Sequence, residues 1–158
     1  MPSQTIAHAG DAIRNLVVGD DPIHRSLIAN CLAGVDGHAV EAVDGVAAWS
    51  LLVSRSFDLA IVDLALLQLD GFGLLQSLRG HPRTRHLPVI AVAPRDDREP
   101  IAAAYAAGAT SFLVEPIVWS TLDHHVGFLL RMVMDARNAR TAGHKAAAGH
   151  RAKETVLA

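Results

Sequence analysis

Five short runs of apolar, often β-branched residues punctuate the first 114 positions and constrain the fold more than any other feature. They are NLVVG at 15–19, GHAVEAV at 37–43, DLAIV at 58–62, LPVIAVA at 87–93 and TSFLV at 110–114. Three are nearly continuous Val, Ile, Leu and Ala, as expected of strands buried on both faces of a parallel sheet. Between them lie helical spacings at 22–33, 45–54, 71–79 and 97–107, and a longer one follows at 118–140. The first places Pro22 at the opening helical position and Ile23, Leu27, Ile28 and Leu32 on one expected inner face. The second does the same with Val46, Trp49, Leu52 and Val53. Strand and helix in strict alternation predict an α/β fold, a doubly wound five-stranded parallel sheet with helices on both faces.

Length and charge bound the rest. A chain of 158 residues with 51% apolar and 19% charged residues is one domain with an appendage. No uncharged apolar stretch approaches 18 residues, and 1–10 has neither a basic start nor an apolar core, so membrane spanning and secretion are not expected. Cys31 is the only cysteine, which removes disulfide frameworks and cysteine-based zinc sites and fits a cytoplasmic compartment. Up to Leu130 there are 8 basic and 14 acidic residues, and beyond it 6 and 2. The expected division is a tail at 1–12, a domain at 13–131, and a helix extension with a basic, disordered tail at 132–158. Its arginines are diluted by alanine with no aromatic among them, which argues against direct nucleic-acid binding.

In open parallel sheets the functional crevice lies beyond the carboxyl ends of the strands. The residues there are Gly19-Asp20-Asp21, Asp63, Ala93-Pro94 and Glu115-Pro116. A lone aspartate in such a place is commonly a turn cap. Asp20 and Asp63, on matching strand ends, instead form part of an oxygen site suited to Mg²⁺, which gives phosphoryl transfer its counter-charge. Neither a Walker phosphate loop nor a G-x-G-x-x-G follows the first strand, so the chain does not read as a nucleotide binder.

VVGDDPIHR at 17–25, IVDLALLQLDG at 61–71, LPVIAVAP at 87–94 and YAAGATSFLVEP at 105–116 together resemble the response-regulator receiver domain of two-component signalling, over roughly Arg14 to Arg131. The resemblance implies a flavodoxin-like fold with the phosphoacceptor at Asp63, and metal held by Asp20, Asp63 and the Ala65 carbonyl. It also implies switch positions at Ala93, Phe112 and Glu115, and a cis-proline candidate at Pro116. Histidine kinases or phosphotransfer proteins, and a downstream output protein, are the implied partners.

Against that pattern several residues differ. Gly19 stands where the family has the first acid of a pair, Ala93 where it has a hydroxyl, Glu115 where it has lysine, and Leu66-Leu67 where Met-Pro is usual. Pro22 and Arg25 set a register in which Asp21 serves the helix N-terminus. Unit charges about 4 Å apart at an effective dielectric of about 20 interact by about 4 kcal/mol, so Glu115 for lysine replaces an attraction for a phosphoryl group with a repulsion of similar order. Losing the hydroxyl removes a further ~1.5–3 kcal/mol. A degenerate receiver is expected, accepting phosphoryl weakly at Asp63 or acting as a phosphorylation-independent docking module. A haloacid-dehalogenase-type phosphatase would need an aspartate where Ala65 stands.

The expected interaction surface has two parts. One is the alanine-rich helix around Tyr105. The other is the last helix, where Trp119, Leu122, Val126, Leu129, Val133 and Ala136 recur at intervals of three and four, a heptad-like stripe that predicts a homodimer. None of the nine histidines has a helical i, i+4 histidine partner, so they read as exposed or terminal.

Overall fold

The structure, a computed structural model, describes residues 13–33, 37–65, 71–93, 98–132, 134–136, 138 and 139. The expected tail at 1–12, residues 140–158 of the expected extension at 132–158, and Leu66, Leu67, Pro94 and Val133 lie outside the described residues.

The elements run β1 (Ile13–Val18), α1 (Pro22–Ala33), β2 (Gly37–Ala42), α2 (Gly45–Ser54), β3 (Leu59–Asp63), α3 (Gly71–Gly80), β4 (Val89–Ala93), α4 (Arg98–Ala107) and β5 (Ser111–Val114). A last helix, α5, spans 119–132, and 134–136, 138 and 139 are also helical. All pairings are parallel, in the order β2-β1-β3-β4-β5. This is the doubly wound, flavodoxin-like arrangement. Val18 pairs with Val62, Asp63 with Val92 and Ala93 with Val114, so the carboxyl ends of the strands finish nearly level.

Local chemistry sets the boundaries. β4 starts at Val89 rather than at Leu87 because Pro88 has no N–H for the ladder. Its carbonyl still accepts from Ala60 N at 3.0 Å. The Val89 N–H instead donates to Thr110 Oγ1 at 3.0 Å. The Asp44 side chain accepts from Ala47 N at 2.8 Å and caps α2.

Side chains alternate between two cores. Leu16, Val18, Ala60, Val62 and Ala91 meet α2, α3 and α4 through Leu52, Leu74, Leu78 and Ala104. Val17, Leu59, Ile61, Ile90 and Val92 meet α1 and α5 through Ile28, Leu32, Leu122, Val126 and Leu129.

Two expectations about helix faces are corrected. On α1 the buried positions are Ile28, Ala29 and Leu32, while Ile23 is 72% exposed and Leu27 43%. On α2 they are Gly45, Ala48 and Leu52, and Val46 is exposed. In both helices small residues let the backbone sit close to the sheet, which turns the larger neighbours outward.

For Leu122, Val126 and Leu129 the expected partner-binding stripe on the last helix is also corrected, while Ala136, at its far end, is exposed. Leu122, Val126 and Leu129 are buried in the domain's own core, with Val126 at 0% exposure. From Leu122 to Leu130 a helix advances only about 12 Å, which a strand of five residues, ~16 Å long, fully covers. The large apolar residues exposed among those described in this segment are Phe128, Met132 and Met134, with Trp119 partly exposed.

Candidate functional site

The level strand ends build an acidic cleft of about 500 Å³ lined by Asp20, Asp21, His24, Asp63, Glu115, Pro116, Ile117 and Trp119. At the end of β1, Asp21 Oδ1 accepts from Ile23 N at 3.0 Å and His24 N at 3.3 Å, so this carboxylate caps α1. Asp20, beside it, is exposed. Arg25 turns away from the cleft's acids. Its Nε meets Glu41 Oε1 at 3.0 Å, and Nη1 donates to the Gly19 carbonyl at 2.7 Å.

Asp63 ends β3 half-buried, and its Oδ1 accepts from Ala65 N at 2.9 Å. Burial pushes its carboxyl above the ordinary carboxylate value. The Ala65 N–H and the His24 charge work against that shift, while Asp20 and Asp21 add to it. The Asp63–Leu64 backbone packs directly on the first turn of α3. A Cβ on Gly71 would lie 2.6 Å from Leu64 Cα and 2.7 Å from the Asp63 carbonyl oxygen, so only glycine admits this approach.

On the far side, Ala93 is buried at the end of β4 and its carbonyl accepts from Glu115 N at 2.9 Å. The Glu115–Pro116 peptide is cis. Phe112 is half-buried, its ring 6.3 Å from that of exposed Tyr105. Glu115 Oε1 lies 3.8 Å from His24 Nε2, and the His24 ring stands edge-on to Trp119 at 6.2 Å.

Asp20, Asp63 and Glu115, expected from three distant stretches to share one pocket, do line the same cleft. His24 and Trp119 join them. His24 was missed as a site residue, although its signal was available: a histidine three positions after a capping aspartate falls in the first helical turn, at the mouth of the crevice. Two carboxylates and backbone oxygens are the hard donors that Mg²⁺ takes, with waters completing its shell. Among the described residues no group of three His, Cys, Asp or Glu side chains forms a metal site. A Cβ on Gly19 would sit 4.0 Å from Asp63 Cβ, so the space for a third acid exists without its carboxylate.

Residues 16–126 match the response regulator receiver domain family. The chain belongs to that family. This receiver is 31% identical over 108 residues to chemotaxis protein CheY-3 of Vibrio cholerae, covering 68% of the chain and 83% of the relative. It is 31% identical over 112 residues to chemotaxis protein CheY of Pseudomonas aeruginosa, covering 70% and 90%. The two-component response regulator-like APRR7 of Arabidopsis thaliana is 31% identical over 107 residues, 66% of the chain but only 15% of that protein. Among solved structures, the signal receiver domain of a signal transduction histidine kinase from Syntrophus aciditrophicus superposes with TM-score 0.71 at 28% identity, covering 77% of this chain and 92% of that one. A receiver assignment leaves no room for the haloacid-dehalogenase reading, and the family is a signalling one. No helix among the described residues is long and apolar enough to cross a membrane.

Proposed function

We propose that this receiver takes a phosphoryl group at Asp63 from a histidine kinase or phosphotransfer protein, slowly, and passes the signal on by protein contact. The observation that carries the reading is the half-buried Asp63 carboxylate sharing one cleft with Asp20, its Oδ1 already held by the Ala65 N–H. Oδ2 is therefore the attacking oxygen. It forms a bond to the donor's phosphorus while the bond to the donor's leaving group breaks and that group departs with the electron pair, leaving an acyl phosphate on Asp63. Mg²⁺, held by Asp20, Asp63 and the Ala65 carbonyl, supplies counter-charge to the phosphoryl oxygens when bound.

Two features support slowness. Glu115 places a negative charge where the transferred group would gain one, and Ala93 offers no hydroxyl to it. Acetyl phosphate with Mg²⁺, followed by intact mass, tests the reading. A slow adduct abolished by Asp63→Asn is expected; no adduct after prolonged incubation, or labelling on another residue, contradicts it.

A second reading is a phosphorylation-independent docking module, favoured by Ala93 and its carbonyl being locked to Glu115. Partner binding unchanged in Asp63→Asn would select it. Contact is inferred through Tyr105 and the exposed side of α5, where Phe128, Met132 and Met134 support a homodimer in place of the buried stripe. Sedimentation of the Phe128→Asp variant as a monomer, against a wild-type dimer, tests this. The signalling family and the single free cysteine, Cys31, support a cytoplasmic location.

A further inference from the structure

An anion entering the cleft meets four carboxylates, those of Asp20, Asp21, Asp63 and Glu115. Of the eight lining residues only two have a side-chain N–H, His24 and Trp119. Arg25, the nearest cation in sequence, is engaged by Glu41 and the Gly19 carbonyl. Ala65 N, the backbone donor beside Asp63, is taken by Asp63 Oδ1.

His24 is poised but not committed. Its Nε2 stands 3.8 Å from Glu115 Oε1, an ion-pair distance longer than a hydrogen bond, and its backbone is fixed by the Asp21 cap. Its ring touches Trp119 in the first turn of α5. Ala93, at the end of β4, has itself no side-chain donor to follow a new group.

We propose that His24 is the side chain that contacts the phosphoryl group on Asp63, leaving Glu115 to do so, and that its ring contact with Trp119 makes the start of α5 the element that responds. This rests on the reading of Asp63 as acceptor. The neutral tautomer that carries its proton on Nε2 can donate to a phosphoryl oxygen, and so can the imidazolium. The signal then leaves the cleft between α1 and α5, beside the exposed Ile23 and Val118.

Beryllofluoride with Mg²⁺ tests this by calorimetry and by tryptophan emission. The chain has two tryptophans, so Trp49→Phe leaves Trp119 as sole reporter. In that background, beryllofluoride is expected to change Trp119 emission, and His24→Ala to weaken uptake about tenfold or more and abolish the emission change. His24→Lys is expected to restore uptake without the ring-dependent emission change. Uptake that is equally tight in His24→Ala, or an emission change that survives there, overturns this inference and leaves Asp63 as acceptor. Absence of uptake by the parent protein overturns both.

Discussion

The guanidinium of Arg79, at the end of α3, donates to the carbonyl oxygen of Gly108 from both Nε, at 2.8 Å, and Nη2, at 2.6 Å. Nη1 reaches the carbonyls of Leu87, at 2.7 Å, and Arg85, at 3.1 Å. One side chain thus ties the α3–β4 and α4–β5 connections together. Burial pushes its pKa below the ordinary arginine value. Gly108 has φ +112°, and a Cβ there would fall 2.5 Å from Arg79 Cγ. Arg79→Met is expected to cost about 2–4 kcal/mol by leaving several carbonyls unpaired, and Gly108→Ala about 2–3 kcal/mol. Urea unfolding of both variants and of the double variant checks this, with a double-variant loss smaller than the sum.

Gly71→Ala drives a methyl group into the backbone of Asp63 and Leu64. A loss of about 1–3 kcal/mol is expected, together with slower acetyl phosphate labelling, because the acceptor's own backbone must shift. Labelling at the parent rate in a destabilised variant would separate the two effects and refute the second.

Asp63 contributes a pH dependence of definite sign. Its folded pKa lies above the ordinary value of 3.8, so its carboxyl favours the folded state below that value, and the benefit is lost as pH rises through the folded pKa. Asp63→Asn removes this loss. The variant is expected to gain stability over the parent across the window just above pH 4 and to hold a constant advantage at neutral pH. Added Mg²⁺ should narrow that advantage by stabilising only the parent. Thermal melts at several pH values measure both.

Asn15 is fully buried in β1, and neither its Nδ2 nor its Oδ1 has a hydrogen-bond partner. Neighbouring inward positions on its face of the strand are Ile13 and Val17. Asn15→Val is expected to raise stability by about 1–3 kcal/mol in urea unfolding.

Restoring the missing charges should speed the chemistry. A side chain at Gly19 meets only ordinary contacts, with Asp63 Cβ at 4.0 Å and Arg25 Cβ at 3.9 Å. Gly19→Asp combined with Glu115→Lys is expected to raise the acetyl phosphate labelling rate at least tenfold, given the ~4 kcal/mol scale of each close charge pair. An unchanged rate would show that Glu115 does not limit acceptance.

The expected α1 and α2 coincide with Pro22–Ala33 and Gly45–Ser54, since Pro22 marks the first start in the sequence and the Asp44 cap seen in the structure fixes the second, both through chemistry confined to one turn. The continuous apolar strands likewise announced a two-sided sheet. Helix faces were harder to read. Ile23 and Val46 suit an inner face by hydrophobicity, yet Ala29 and Ala48 occupy the close contacts because depth of burial is settled by how near a backbone can approach its sheet. The role of Leu122, Val126 and Leu129 depended in the same way on how far the strands extend beneath α5.

Periodicity and turn residues are properties of neighbouring positions, so the order of elements, the parallel sheet and the acidic strand ends were already written along the chain. What lies across the cleft is a matter of distances between remote segments. His24 meeting Glu115 and Trp119, Arg25 turned to Glu41, and Arg79 closing on Gly108 follow from rigid packing of β-strands and helices, which no local pattern encodes.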